Sequence, residues 1–339
     1  MKRKVGIIVA ALCLLGGAGW AKDGAPADRR ASLGDFRPPG EIPYPDDNPY
    51  SPAKADLGDR LFFDPLLSKS QGLSCASCHD PDRAWTDGRA KALGEDPAGM
   101  ALRTPTLLDV AWLPRLGWDG KYRDLESVAF TPITSVNNMN LGENELFARL
   151  SARPDYVAAF AEAFADGAIS RRNVEMALAT FERSIVAEES PFDRWVAGDE
   201  QAVDEPVKRG FELFNGKGRC SGCHSGWTFS DGSFHDIGMA SGGDIGRGRM
   251  FPSSVKLRYA FKTPTLRDVA RRGPYMHDGS VPTLAAVVDL YDRGGIDRPS
   301  RSELVGPLGL TEAEKTDLLA FLDSLTGTPP LRREFGALP

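Results

Sequence analysis

Two five-residue stretches of this 339-residue chain decide its fold. They are Cys75-Ala76-Ser77-Cys78-His79 and Cys220-Ser221-Gly222-Cys223-His224. Cys-x-x-Cys-His is the attachment signature of c-type haem, because two thiols add to the porphyrin vinyl groups and the next residue places an imidazole under the iron. A zinc site would need four thiol or imidazole ligands close together, and a thiol redox pair has no use for the histidine. The two copies predict two covalent haem c groups.

The residues around the two motifs repeat as well. Gly58-x-x-Leu61-Phe62 recurs as Gly210-x-x-Leu213-Phe214, and Thr104–Ala111 recurs as Thr263–Ala270. Downstream of each threonine, an aromatic ring precedes Asp-Gly, in Trp118-Asp119-Gly120 and in His277-Asp278-Gly279. A shared register of this length indicates an internal duplication.

Each half is predicted to close with a helix. Val174, Ala177, Leu178, Phe181 and Ile185 have helical spacing, and Thr311 with Glu314 forms a capping box before a leucine-rich run that Gly327 should end. Strand-like alternation is scarce. We therefore expect an all-α protein of two cytochrome c-like domains, 53–200 and 201–339, each with one covalent haem.

The N-terminal 21 residues are predicted to be a cleaved secretory signal peptide, with a basic start, an apolar run and small residues before Ala21. An uncleaved anchor is the alternative, but the apolar run is shorter than the ~20 residues of a membrane span. Residues 22–52, rich in Pro, Gly and Asp, are predicted to be a loose lead-in. We expect a periplasmic protein without a membrane span after cleavage. The net charge of −6 argues against nucleic acid as a partner.

The repeat suggests that the two irons differ. Fourteen residues beyond each aromatic-Asp-Gly, the second half has Tyr291 and the first half has Pro132. A phenolate can be a sixth iron ligand, whereas proline can coordinate nothing. By spacing alone, a core aromatic of its helix is the better interpretation of Tyr291.

These residues resemble the bacterial diheme cytochrome c peroxidase superfamily, and the MauG and MbnH enzymes within it place a tyrosine where ordinary peroxidases have methionine. The resemblance also rests on Phe234–Gly238 and Pro274–Gly279. It implies that His79 ligates an open haem that binds hydrogen peroxide, and that His224 and Tyr291 ligate a six-coordinate haem. It further implies that Trp118 lies between the two haems.

Several positions depart from the family pattern. The usual distal glutamate, twenty residues after the bridging tryptophan, is Asn138, so Glu143 or a water chain would have to carry the proton. MauG has a surface tryptophan where this chain has Gly218, so the exit route for oxidising equivalents differs. Arg103 replaces the asparagine that helps to hold calcium in the family, which weakens the expectation of calcium. We expect His235 to bond a haem propionate in a structural role rather than to ligate iron. For His277 the alternatives are a structural hydrogen bond and a place on an electron path.

The first functional hypothesis is therefore a periplasmic enzyme that uses hydrogen peroxide to oxidise a tryptophan of a partner protein. The resemblance to MbnH implies kynurenine as the product and a copper-binding partner, rather than a tryptophan-derived quinone. The alternatives are a peroxidase that takes electrons from a small redox protein, and an electron carrier without substrate chemistry.

Overall fold

The structure, a computed structural model, describes residues 32–96 and 99–328. The predicted signal peptide lies outside the described residues. In the described part, ten α-helices are connected by long irregular segments, and the strands are one two-residue pair, β1 (Phe234–His235) with β2 (Phe261–Lys262). The helices are α1 (Pro52–Phe63), α2 (Leu125–Ala129), α3 (Thr131–Thr134), α4 (Glu143–Ser151), α5 (Pro154–Ala163), α6 (Arg171–Arg183), α7 (Pro191–Val196), α8 (Glu205–Asn215), α9 (Leu284–Arg293) and α10 (Glu312–Ser324). This helix-rich architecture agrees with the predicted all-α class.

Two helix pairs cross at a repeated glycine. α1 packs on α6 through Gly58, and α8 packs on α10 through Gly210. A Cβ atom at Gly58 would lie 2.0 Å from the carbonyl oxygen of Ala177, and one at Gly210 would lie 2.0 Å from that of Asp317. The first glycine of each Gly-x-x-Leu-Phe repeat therefore lets two helices approach to backbone contact.

Each helix pair belongs to its own hydrophobic core. The first core includes Leu61, Phe62 and Phe160, and the second includes Phe211 and Phe321. α7 packs in the second core through Phe192, so the change from one core to the other falls near Ser190, before the predicted boundary.

The segment predicted to be a loose lead-in is held at two points in its described part. Phe36 is fully buried in the second core, stacked on Phe229 with ring centroids 4.8 Å apart. The amide of Asn48 donates to the Glu126 carboxylate and to the carbonyl of Met176.

Both predicted closing helices are present. Val174, Ala177 and Leu178 are fully buried on α6, while Ile185 lies beyond the end of that helix. The capping box of α10 forms as predicted, but the helix ends at Ser324 and so before Gly327. Gly327 instead packs against the backbone of Glu188, where a side chain would clash. In the ranges that the structure describes, no helix is long and apolar enough to cross a membrane.

Candidate functional site

The two Cys-x-x-Cys-His motifs fold into the same turn. Cys75–Ser77 and Cys220–Gly222 are single 3₁₀ turns, and in each the histidine N–H donates to the carbonyl of the first cysteine at 2.9 Å. The four thiols, those of Cys75, Cys78, Cys220 and Cys223, are free and partly buried. Both turns therefore present two thiols and one imidazole from a short stretch of chain, which is the donor set that covalent haem needs.

Each motif histidine is oriented by a backbone carbonyl. Nδ1 of His79 lies 3.2 Å from the Trp85 carbonyl oxygen, and Nδ1 of His224 lies 2.8 Å from that of Phe229. A carbonyl only accepts, so we assign the proton to Nδ1, which leaves the Nε2 lone pair free for a metal. Burial lowers the pKa of His79 and lowers that of His224 to about 4, so both rings are neutral at physiological pH, as metal ligands must be.

A cavity beside His224 brings together residues from both halves of the chain. Cys220, Cys223, His224 and Tyr291 line it, and so does Trp118. Burial raises the pKa of Tyr291, with a further contribution from the two nearby cysteines, so its phenol is neutral unless a cation binds it. The structure thus places the predicted phenol ligand in the same cavity as the predicted imidazole ligand.

Two thioethers that the sequence analysis did not single out also line this cavity. They belong to Met239 and Met276. A thioether is an alternative sixth ligand for a c-type haem. Spectroscopy can therefore test whether the sixth ligand of the haem beside His224 is the oxygen of Tyr291 or the sulfur of a methionine.

Trp118 is fixed from several sides. Its indole Nε1 donates to the carbonyl of Arg103 at 3.0 Å, and its own carbonyl accepts from the Lys262 N–H at 2.8 Å. Its ring lies edge-on to His277, with centroids 6.5 Å apart. Because these partners come from both halves, the indole is held where the halves meet, as a residue between two haems would have to be.

Three buried cations line the cavity without a carboxylate partner. Arg103, Lys262 and Arg272 are each 9% exposed or less, and none makes an ion pair with another described residue. Among the residues that the structure describes, the Nε atoms of Arg103 and Arg272 have no hydrogen-bond partner. Burial lowers the pKa of Lys262 to about 8 and that of Arg272 to about 10. Buried cations need counter-charges, and the propionates of haem are carboxylates that fit this requirement.

Arg103 also joins the two halves directly. Its guanidinium donates to the carbonyl of Arg272 at 2.8 Å, and its backbone N–H donates to the carbonyl of His277 at 3.0 Å. A fixed positive charge therefore stands at the position for which the family resemblance implied a calcium ligand.

The three residues predicted near the first iron lie apart from the cavity beside His224. Pro132 is in the first turn of α3, and its carbonyl accepts from Met139. Asn138 is partly buried in the loop after α3, and its carbonyl accepts from the Glu95 N–H at 2.6 Å. Glu143 begins α4, where its 40% exposed carboxylate pairs with Arg171 at 3.3 Å. Their predicted roles at the first haem stay predictions.

The remaining histidines are both engaged by carboxylates. Nε2 of His235 lies 2.8 Å from Asp231, and the hydrogen bonds of the ring with Asp231 and then with Cys223 raise the His235 pKa to about 10. Nε2 of His277 lies 2.6 Å from Asp244, and its ring stacks on Phe261 with centroids 3.6 Å apart. These contacts favour the structural roles that the sequence predicted.

Known proteins resemble this chain over most of its length. Residues 52–201 match the family model described as di-haem cytochrome c peroxidase. The methylamine utilization protein MauG of Methylorubrum extorquens is 46% identical over 93% of this chain and 90% of its own length. The cytochrome-c peroxidase IdrP1 of Denitromonas iodatirespirans is 32% identical over 99% of this chain and 96% of its own. The solved structure of a MauG-like protein associated with microbial copper homeostasis superposes with a TM-score of 0.80 at 30% identity, covering 91% of this chain and 96% of that one.

Together with the two haem-attachment turns, these similarities define the class: the chain belongs to the diheme cytochrome c peroxidase superfamily, whose members are peroxide-dependent oxidoreductases. Within that superfamily it belongs to the MauG-like branch. Haem c is therefore its expected cofactor, and the thiols, imidazoles and buried cations described above fit that group.

Proposed function

We propose that this protein is a periplasmic diheme enzyme, built from a duplicated haem domain, that uses hydrogen peroxide to oxidise a tryptophan of a partner protein. The observation that carries the proposal is the phenol of Tyr291 in the cavity of His224, combined with proline at the repeat-equivalent position of the first half. An anionic oxygen ligand favours high oxidation states of iron more than a neutral thioether does.

The two haems would supply the peroxide-binding iron and the storage of two oxidising equivalents. The chain contributes the placement: His79 and His224 each offer Nε2, and Tyr291 closes one side of the second site. Trp118 lies between the halves, where it shortens the path for an electron. Arg103, Arg272 and Lys262 balance the negative charge of the propionates.

The predicted site has no carboxylate at the position that usually transfers the proton at the first haem. Asn138 holds the position of the usual carboxylate, and an amide does not exchange a proton as a carboxylate does. We therefore expect a slow reaction with peroxide, with water or Glu143 carrying the proton.

Oxidation of the partner has to proceed by a route that differs from that of MauG. At Gly218, where MauG has its exit tryptophan, a Cβ atom would lie 2.8 Å from the carbonyl oxygen of Leu213, so a large side chain does not fit. The similarity to a MauG-like protein associated with microbial copper homeostasis supports a copper-binding partner. A kynurenine-type product, rather than a quinone cofactor, is the part of the proposal that rests on the resemblance to MbnH.

The second candidate is a peroxide-scavenging cytochrome c peroxidase, which the IdrP1 relative supports. The two candidates differ in the fate of the oxidising equivalents. A scavenger turns over rapidly with a small electron donor, needs a reduced second haem first, and loses little when Tyr291 is replaced by Met.

The test is to incubate the diheme holoenzyme with peroxide and the partner protein encoded beside it, and to follow the partner's mass. We expect oxygen addition at one tryptophan, with loss of that activity in Tyr291→Met. Tyr122→Phe is the matched control, since Tyr122 does not line the cavity. An unchanged partner mass with the native enzyme would refute the proposal.

A further inference from the structure

Tyr259 has a backbone conformation that a bulky residue rarely adopts. Its φ is 62°, in the left-handed region. The chain holds it there on both sides: its N–H donates to the carbonyl of Ile245 at 2.9 Å, and the carbonyl of Ala260 accepts from the Arg247 N–H at 2.9 Å. Strain of this kind persists only where the surroundings fix it, and it is common at functional sites.

The Tyr259 side chain spans from the haem cavity to the surface. The residue lines the same cavity as His224 and Tyr291. Its hydroxyl lies in an exposed environment, 3.5 Å from the Gly242 carbonyl oxygen, and accepts from the Arg258 guanidinium at 3.3 Å.

Two guanidinium groups flank the ring. The Cζ atom of Arg298 lies 3.9 Å from the ring centroid, and that of Arg258 lies 5.1 Å away. Arg298 is itself fixed by a bidentate pair with Asp236. Neighbouring cations disfavour a positively charged ring, so an electron can leave Tyr259 only if its phenolic proton leaves as well.

We propose that Tyr259 is the relay through which the second haem site oxidises molecules outside the protein; this inference rests on the proposed function. One electron passes from the phenol to the peroxide-oxidised protein, and the phenolic proton passes to the solvent to which the hydroxyl is exposed. The neutral tyrosyl radical then regains one electron and one proton from the partner's tryptophan. Two such cycles supply the two electrons that reduce one hydrogen peroxide, with two protons, to two water molecules, and the tryptophan that has lost two electrons takes up the oxygen of one water. A second peroxide and a second water, by the same relay, bring the tryptophan to the four-electron level of N-formylkynurenine.

The exposed surface next to Tyr259 and the positions of other oxidisable aromatic rings are consistent with this route. Met250, Phe251 and Val255, just before Tyr259 in the chain, are 39–59% exposed, which leaves the segment open to a partner. Trp112 and Trp227 form another aromatic pair, with centroids 4.9 Å apart, but neither lines the cavity. An electron that enters from the partner through them would have to cross additional protein to reach the cavity.

The first experiment treats the diheme holoenzyme with peroxide and the spin trap 2-methyl-2-nitrosopropane, without a partner, and maps adducts by mass spectrometry. We expect the adduct on Tyr259, its loss in Tyr259→Phe, and its retention in the control Tyr122→Phe. An adduct on Trp112 or Trp227 that persists in Tyr259→Phe would overturn the relay.

The second experiment follows partner modification. Tyr259→Phe removes only a hydroxyl and should slow it by at least about tenfold, whereas Tyr259→Trp, which restores an oxidisable ring, should recover most of the rate. If the native enzyme modifies the partner and Tyr259→Phe does so equally fast, the relay is wrong and the proposed function stands. If the trap labels Tyr259 but the native enzyme leaves the partner unchanged, the relay stands and the proposed function fails.

Discussion

Replacing the repeated glycines by alanine tests how closely the helices cross. Gly58 lies inside α1 and Gly210 inside α8, where alanine would ordinarily stabilise a helix by about 1 kcal/mol. The close crossing of the helices predicts instead that alanine at either position destabilises the protein. The new methyl group would lie 2.0 Å from a backbone carbonyl oxygen and less than 3 Å from the Cβ atom of Phe181 or Phe321.

The magnitude follows from those contacts. A carbon atom and an oxygen atom normally stay more than 3 Å apart, so the helices must separate by about 1 Å, and overpacking of this kind costs about 3 kcal/mol. After subtraction of the propensity gain, each variant should lose about 2 kcal/mol in the free energy of unfolding. The melting temperature should fall by roughly 4 °C or more.

The assay is thermal unfolding of the haem-loaded protein, followed by circular dichroism in the far ultraviolet. Gly40→Ala is the matched control, because no atom of the described part of the chain lies within 4 Å of a Cβ atom at Gly40. Variants of Gly58 and Gly210 that are as stable as the native protein, or more stable, would refute the close crossing of the helices.

Other predictions concern the charges around the site. Arg267→Met removes the buried partner of Asp193, which it contacts at 2.7 Å, and should cost about 3–5 kcal/mol in denaturant unfolding; a loss below about 1 kcal/mol would contradict a buried ion pair. His235→Gln should lower the melting temperature most below pH 6.5, with the difference shrinking as pH rises and vanishing above about pH 10; a constant difference would show that the His235 charge does not contribute. Asn138→Glu should accelerate the reaction with peroxide on the order of 100-fold if position 138 faces the open haem. Stopped-flow spectroscopy measures this rate, and an unchanged rate would show that residue 138 lies away from the open haem. Because Arg103 supplies a fixed charge, a calcium chelator should leave the haem spectrum unchanged, and a chelator-sensitive spectrum would contradict this substitution for calcium.

Local patterns in the sequence were sufficient to predict the elements that depend on neighbouring residues. The haem-attachment turns, α6 and the capping box of α10 are set by contacts within a few residues. The predicted end of α10 was wrong. Gly327 does not end the helix; it is a glycine because a side chain there would clash with the backbone of Glu188. Likewise, Phe36 joins the second core although its own segment is rich in Pro and Gly.

The candidate site was predictable only where a residue belongs to a repeated motif. Comparing the two halves drew attention to Tyr291 and Trp118, and the family resemblance supplied their predicted roles. Arg272, Lys262 and Tyr259 could not, because their importance comes from burial and from partners far away in the chain. Arginine and lysine are ordinarily exposed, and nothing local marks Arg272 and Lys262 as buried cations.

The asymmetry between the two haems is tested most directly by electron paramagnetic resonance of the resting ferric holoenzyme, native and Tyr291→Phe. We expect one high-spin iron that binds cyanide and one low-spin iron, with only the low-spin signal changing when the hydroxyl of Tyr291 is removed. Two low-spin irons in the native protein would show that neither iron is open to peroxide. A low-spin signal identical in Tyr291→Phe would show that the phenol is not a ligand.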